Sequence, residues 1–168
     1  YKWTYEYLAE LEKNKRYSHM IWPLHCLIGS PGHNIVAPLF DALLNWETSC
    51  RQTVNKITKG SCRHVEHFSA VRAEVIHPAD PSTQLNTDFV QTLSESDEIL
   101  LCGEALNFCL ANTARDIATE LGPDFVKKCV LLSDGSSNVT GLEFLGDQFI
   151  KDMTAMGMQI STTKDYLK

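Results

Sequence analysis

Short apolar runs alternate with helical segments over the second half of this chain, and this alternation restricts the possible folds more than any other feature. The apolar runs cover residues 98–103, 128–132 and 158–161. Segments with helical spacing lie between them, from about 108 to 121 and from about 142 to 156. Because parallel strands need crossover connections of this length, the pattern predicts an α/β fold. We expect a three-layer sandwich with a mainly parallel sheet and helices on both faces.

The first half of the chain predicts further elements with less regular spacing. We expect helices over about 5–13, over 35–50 with Asn34 as N-cap, and over 83–93 with Thr83 as N-cap. Short strands are predicted near 54–58 and 73–76. The 98–103 run is expected to form a strand buried on both faces. The side of the second helix expected to be buried consists of Leu39, Leu43, Leu44 and Trp46.

Composition supports one compact domain over residues 1–168, since 43% of the residues are hydrophobic. The net charge of -6 and the lack of a basic stripe argue against a nucleic-acid partner. No apolar run approaches the roughly 20 residues of a membrane span, so we predict no membrane association. The six cysteines lack C-x-x-C pairs and dense spacing, which predicts a reduced, cytoplasmic protein with Cys102 and Cys129 as core residues.

Three turns follow the predicted strands at the edge where parallel sheets bind ligands, at residues 59–60, 103–107 and 133–135. In the middle turn, Asn107 is the expected N-cap, and Cys109 then lies in the first turn of the next helix. The positive end of a helix dipole favours a thiolate. Unpaired backbone N–H groups at the same place can stabilise an oxyanion. A strand, a sharp turn and a nucleophile at a helix start suit acyl transfer.

Each of these residues also has an ordinary structural interpretation when it is taken alone. A cysteine in an apolar helix usually packs in a core, and a lysine at a strand end is usually a solvated charge. A histidine after a proline loop and a tryptophan beside it are usually structural, and an aspartate after a strand usually caps a turn. The residues in question are Cys109, Lys59, His25, Trp22 and Asp134.

Three segments of the chain resemble sequence blocks of the nicotinamidase and isochorismatase-like cysteine hydrolases. Residues 22–32, W-P-L-H-C-L-I-G-S-P-G, are similar to the block W-P-x-H-C-x-x-G-[ST]-x-G. Lys59-Gly60 and the later E-H-F-S-A of residues 66–70 resemble the family's lysine-glycine stretch and aromatic-Ser-Ala stretch. Residues 103–116 resemble the nucleophile block G-x-A-x-x-x-C-V-x-x-T-A-x-D. The blocks occur in the family's order between about residues 20 and 161.

The resemblance implies a cysteine-dependent amidohydrolase, with nicotinamide as the first substrate to consider. Cys109 would attack the amide carbonyl and form a thioester with release of ammonia, and water would then hydrolyse the acyl-enzyme. Lys59 would hold the thiolate. The backbone N–H groups of Ala105 and Cys109 would form the oxyanion hole, and a cis peptide bond would join Glu104 to Ala105.

The remaining site residues also follow from the resemblance. Trp22 and Phe68 would flank the substrate ring, and His25 would bind a divalent metal: zinc, iron or manganese. The family's catalytic aspartate and its other metal ligands come from blocks that precede the matched segments, so we expect these 168 residues to lack the first strand or strands of the domain and to be inactive alone. Glu104 and Asn107 depart from the small apolar residue and the aspartate that are common at their positions.

Several alternatives to nicotinamide hydrolysis stay open at this point. Within the enzyme class these are other small amides, carbamoyl compounds and an isochorismatase-type vinyl ether, the last disfavoured by Cys109. A catalytically silent binding or scaffold protein would keep the same fold. Cys102 and Cys109 lie close enough in sequence to suggest a redox sensor, although bridging geometry does not follow from spacing. Self-association is not decided by the sequence.

Overall fold

A computed structural model describes residues 2–166 and 168. These residues form two compact units, one of residues 8–57 and the other of residues 2–7 with the described residues from 58 onwards. The helices are α1 (Lys2–Asn14), α2 (Ala37–Cys50), α3 (Thr87–Ser94), α4 (Ala111–Leu121), α5 (Pro123–Val126), α6 (Glu143–Ala155) and α7 (Thr163–Tyr166). The strands are β1 (Ile99–Leu101), β2 (Cys129–Leu132) and β3 (Gln159–Ser161).

The larger unit contains a parallel sheet with the order β1-β2-β3. Leu100 pairs with Val130, and Leu131 pairs with Ile160. Helices α4 and α5 connect the first two strands, and α6 connects the last two. The predicted α/β class and the parallel direction of these three strands are therefore confirmed.

Buried side chains from the strands and the crossover helices form one core in the larger unit. Its most deeply buried members include Leu131 on β2, Ile117 on α4, and Phe149 and Met153 on α6. Burying a side chain of this size contributes about 1.5–3 kcal/mol. Because β1, β2 and α4 share this core, the turn between β1 and α4 is anchored at both ends.

The helices of the second half end where the sequence predicts. Helix α4 stops at Gly122, which has a φ of 86°, and Pro123 begins the next short helix. Helix α6 is followed by Gly157 with a φ of 107°. These positive angles favour glycine over any residue with a side chain.

Two predicted strands, near 54–58 and 73–76, are wrong. The N–H of Val54 donates to the Glu47 carboxylate, 2.8 Å away, rather than to a neighbouring strand. The N–H groups of Ala73 and Glu74 donate to the carbonyl oxygens of Thr83, which ends a 3₁₀ turn, and of Glu66, which lies in a loop. A strand requires a regular ladder with a partner, and none forms here among the described residues.

Two predicted helix caps are also wrong. Asn34 ends a 3₁₀ turn over Pro31–His33, and α2 begins three residues later without a side-chain cap. Thr83 ends a similar turn, where its hydroxyl donates to the carbonyl of Asp80 and accepts from the N–H of His77. Its hydroxyl is thus occupied by the turn, and Asn86 caps α3 instead by accepting from the N–H of Phe89.

Burial differs from the prediction at several apolar positions. Leu39, Leu44 and Trp46 are exposed on α2, and no described element buries this face of the helix. Leu100 is 40% exposed, so β1 is not buried on both faces. Amphipathic spacing indicates that a face is apolar, but burial also requires a second surface to cover it.

All six cysteines are free thiols. Cys129 is buried as predicted, whereas Cys102 is exposed and the prediction of a core position for it is wrong. Cys102 follows the last residue of β1, where its side chain lies beside Gly135 rather than in the sheet core.

Among the described residues, no helix combines the length and apolar character needed to cross a bilayer.

Candidate active site

The turn after β1 is tied to the loop that follows β2. The N–H of Gly103 is shared between the carbonyl oxygen of Gly135, at 2.9 Å, and the hydroxyl of Ser136, at 3.0 Å. Gly103 has a φ of 128°, which residues with a Cβ rarely adopt. The peptide bond between Glu104 and Ala105 is cis, as the resemblance implied. The two strand ends therefore hold this turn in one conformation.

Cys109 lies at the beginning of the helical segment that leaves this turn. A π-helical turn over Leu106–Leu110 precedes α4, so the helix begins two residues earlier than predicted. The N–H of Leu110 donates to the carbonyl of Ala105 at 3.2 Å. Cys109 is half-buried in this turn and lies near the electropositive end of the helix.

Lys59 contacts the cysteine directly. Its Nζ lies 3.5 Å from Cys109 Sγ and donates a second hydrogen bond to the carbonyl oxygen of His67 at 3.0 Å. The lysine is half-buried, so solvent screens its charge less than at a fully exposed site. The lysine side chain therefore joins the sulfur of Cys109 to the backbone of His67.

His67 and Thr113 belong to the same site, and the sequence analysis did not single them out. Burial lowers the pKa of the His67 imidazole, the Lys59 ammonium lowers this pKa further, and Asp116 opposes both. The Thr113 hydroxyl donates to the carbonyl oxygen of Cys109 at 2.8 Å and accepts from the N–H of Ala70 at 3.0 Å. Both residues lie within the sequence blocks that resemble the cysteine hydrolases, and this position was the signal that could have identified them.

Phe68 is half-buried against the residue that precedes the cysteine. Its ring centroid lies 5.4 Å from that of Phe108, with an angle of 42° between the planes. This tilted arrangement is one that aromatic pairs favour. The pair places an aromatic surface in the chain segment next to Cys109.

Asn107 does not cap the helix, contrary to the prediction. Its side chain is fully buried, its Oδ1 accepts from the N–H of Val139 at 2.9 Å, and its Nδ2 donates to the carbonyl of Leu142 at 2.9 Å. The helix begins at Leu106, so Asn107 lies inside it and reaches across to the loop before α6. The N-cap residue is Ala105, whose methyl side chain cannot form a hydrogen bond.

The Asn107→Asp variant tests this link between the nucleophile turn and the 139–142 loop. A carboxylate keeps the shape but loses the donated hydrogen bonds and faces carbonyl oxygens in a buried place. We expect the free energy of unfolding to fall by about 2–4 kcal/mol, measured by urea denaturation. The exposed Asn45→Asp variant is the control and should change stability by less than about 0.5 kcal/mol. Equal losses in the two variants would contradict the structural role of Asn107.

Two acidic side chains near the strand ends are engaged elsewhere. Glu104 accepts hydrogen bonds from the N–H and the hydroxyl of Ser137, at 3.3 and 2.8 Å. Asp134 accepts from the N–H and the hydroxyl of Thr163, at 2.8 and 2.6 Å, and these bonds lower the pKa of its carboxyl group. Asp134 therefore has the ordinary role of capping α7, and Glu104 fixes the turn to the next loop.

The backbone at the predicted oxyanion hole has a donor to offer. The N–H of Ala105 makes no hydrogen bond within residues 2–166 and 168. Ala105 is only partly buried, so this N–H does not incur the full cost of an unpaired buried donor. This N–H is therefore available for the donor role that the resemblance implies.

Trp22 and His25 belong to the unit of residues 8–57. Their ring centroids lie 6.5 Å apart at an angle of 72°. His25 Nδ1 lies 2.7 Å from the carbonyl oxygen of Pro23, so Nδ1 donates to that oxygen, and in the neutral ring Nε2 carries the lone pair. This tautomer suits a metal ligand. Within the described ranges, however, no group of three or more His, Cys, Asp or Glu side chains could hold a metal ion.

Comparison with known proteins supports the fold. No protein-family model and no curated protein matches the chain. The yeast nicotinamidase bound to the inhibitor nicotinaldehyde is similar with a TM-score of 0.61 and 20% identity, over 86% of this chain and 59% of that chain. A nicotinamidase/pyrazinamidase of Acinetobacter baumannii gives a TM-score of 0.58 and 20% identity, over 90% of this chain and 63% of that one.

A pyrazinamidase of Pyrococcus horikoshii in complex with zinc is similar with a TM-score of 0.53 and 18% identity, over 84% of this chain and 63% of that chain. The chain thus spans 58% to 63% of the length of the solved structures that it matches. Identities this low establish the fold alone. The fold is that of the nicotinamidases and pyrazinamidases, which confirms at this level the resemblance seen in the sequence.

Proposed function

We propose that the chain belongs to a cysteine-dependent amidohydrolase acting on a small amide, with nicotinamide the first substrate to test. The single observation that carries this proposal is the 3.5 Å contact between Lys59 Nζ and Cys109 Sγ at a helix start. The names of the structurally similar proteins, nicotinamidases and pyrazinamidases, support the choice of an aromatic amide. We also propose that residues 1–168 belong to one hydrolase domain.

The proposed reaction proceeds in two steps through an acyl-enzyme. Cys109 Sγ attacks the amide carbonyl carbon, the carbon–nitrogen bond breaks, and the nitrogen leaves as ammonia with the proton released by the thiol. Water then attacks the thioester, which gives the carboxylic acid and restores the thiol. Lys59 stabilises the thiolate, and the N–H groups of Ala105 and Cys109 stabilise the oxyanion formed in each step.

The aromatic residues account for the choice of a ring-bearing amide. Phe68 lies against Phe108, the residue before Cys109, and we propose that it forms a wall for the substrate ring. His25 has the tautomer that a zinc, iron or manganese ligand needs. Since the described residues supply no complete donor set, no step of the proposed reaction uses a metal.

The function is tested by ammonia release from a panel of amides, measured with the full-length protein. We expect turnover of nicotinamide and pyrazinamide, with the matching acids identified by chromatography, and much slower turnover of acetamide, which has no ring to lie against Phe68. Release of ammonia from acetamide at the same rate would remove the role of Phe68. A panel with no turnover at all would contradict the amidohydrolase proposal.

A binding protein of the same fold is the second candidate, because the similarity to the solved structures establishes the fold and not catalysis. Such a protein would bind nicotinamide in a calorimetric titration without releasing ammonia. Binding together with ammonia release would exclude this alternative.

A further inference from the structure

We propose that Thr113 is a positioning residue whose hydroxyl closes a ring of hydrogen bonds and so holds Lys59 beside Cys109. The inference rests on the proposed function of the lysine–cysteine pair. Thr113 is hydrogen-bonded to the carbonyl of Cys109 and to the N–H of Ala70. The backbone leads from Ala70 back to His67, whose carbonyl accepts from Lys59. The ammonium of Lys59 in turn contacts the sulfur of Cys109 and closes the ring.

Lysine is a flexible side chain, so its ammonium group needs a fixed acceptor to remain at the sulfur. The carbonyl oxygen of His67, 3.0 Å from Nζ, is that acceptor. The position of this oxygen depends on the conformation of the 67–70 segment. Any group that fixes this segment therefore also fixes the ammonium.

Thr113 fixes the segment to the nucleophile's own helix. Its oxygen accepts from the N–H of Ala70 at 3.0 Å and donates to the carbonyl of Cys109, one helical turn earlier, at 2.8 Å. Ser69 is fully buried next to this link, and its hydroxyl accepts from the N–H of Val71 at 3.0 Å. One hydroxyl thus joins the backbone of the nucleophile to the loop that holds the lysine.

Thr119 provides the matched control on the same helix. Its hydroxyl donates to the carbonyl of Arg115 at 2.9 Å, the same bond to the preceding turn that Thr113 makes. Thr119 is exposed, and its oxygen accepts from no N–H among the described residues. A Thr→Val change removes the hydrogen bond to the preceding turn at both positions, but it removes the link to Ala70 only at position 113.

The experiment measures the rate of iodoacetamide alkylation at Cys109, with exposed Cys102 as the internal reference, by peptide mass spectrometry. Thr113→Val keeps the shape but leaves the Ala70 N–H without its acceptor. We expect it to slow alkylation of Cys109 relative to Cys102 by about fivefold to tenfold. Thr113→Ser, which restores the hydroxyl, and Thr119→Val should stay within about twofold of the parent chain.

Unchanged alkylation in Thr113→Val would overturn the proposal, as would an equal loss in Thr119→Val or in Thr113→Ser. Hydrogen exchange in the unmodified chain gives a test that does not depend on a variant folding. The amide of Ala70 should exchange at least about tenfold more slowly than that of exposed Gly60. Equal exchange of the two amides would show that the link to Thr113 is not formed.

These readouts need no turnover, so they separate the inference from the proposed function. Slower alkylation in Thr113→Val together with no ammonia release from any amide would support the positioning role and contradict the amidohydrolase. Ammonia release together with unchanged alkylation would support the enzyme and refute the role of Thr113.

Discussion

In the full-length protein, we expect replacement of Cys109 by alanine to abolish amide hydrolysis, with a loss in kcat of about 10⁴-fold or more. In the proposed reaction the sulfur forms the covalent bond of the acyl-enzyme, and no other described side chain lies at the start of this helix with a lysine ammonium 3.5 Å away. Ammonia release measures the loss. Mass spectrometry of the parent chain during turnover should show an acyl group on the peptide that contains Cys109.

The control for this result is Cys102→Ser. Cys102 is an exposed thiol at the other end of the same turn, beside Gly135 and outside the proposed machinery. Its replacement should leave kcat within about twofold, as expected for an exposed position without special contacts. Turnover that persists in Cys109→Ala, or an acyl group found on Cys102, would remove Cys109 from the role of nucleophile.

The Lys59→Met variant has the second-largest expected effect, a loss in kcat/KM of about 10²–10³-fold. Methionine keeps much of the length of the side chain but removes the charge. Opposite charges about 4 Å apart attract by about 4 kcal/mol at an effective dielectric constant of 20, which sets the upper end of this range. The variant also loses the donor to the His67 carbonyl.

Lys56→Met is the control for the loss of a lysine charge. Lys56 forms an ion pair with Glu47 in which its side chain is exposed, and such surface pairs contribute little. Its kcat/KM should stay within about twofold of the parent value. If Lys59→Met retained full kcat/KM, or if the two variants lost activity equally, the ammonium of Lys59 would have no specific role at the sulfur.

The sequence predicts the second half of the fold well because the signals there are local. The apolar runs of β1, β2 and β3 and the glycines after α4 and α6 each act within a few residues. The failed strands near 54–58 and 73–76 depend on a distant pairing partner that composition does not reveal. The exposed face of α2 is a similar case, because burial needs a covering surface as well as an apolar stripe.

In the candidate site, too, local signals predict some residues, whereas roles that depend on tertiary contacts are missed. The strand-end rule selects Cys109 after β1, the resemblance selects Lys59 although the strand predicted before it does not form, and the structure places the two side chains in contact. Asn107 has a residue type that often caps helices, but a π-helical turn moves the helix start and directs its side chain to the 139–142 loop. The parts played by the His67 carbonyl and the Thr113 hydroxyl arise from tertiary contacts, which no motif spacing encodes.

The most direct test of the lysine–cysteine pair is the order in which limiting iodoacetamide modifies the six thiols of the unmodified chain. Exposure alone would direct the reagent first to Cys26, Cys50 and Cys102, since Cys109 is half-buried. Activation by the ammonium and the helix start predicts the opposite order, with Cys109 alkylated first and fastest. Slow, uniform labelling of the exposed cysteines with Cys109 lagging behind them would contradict the account.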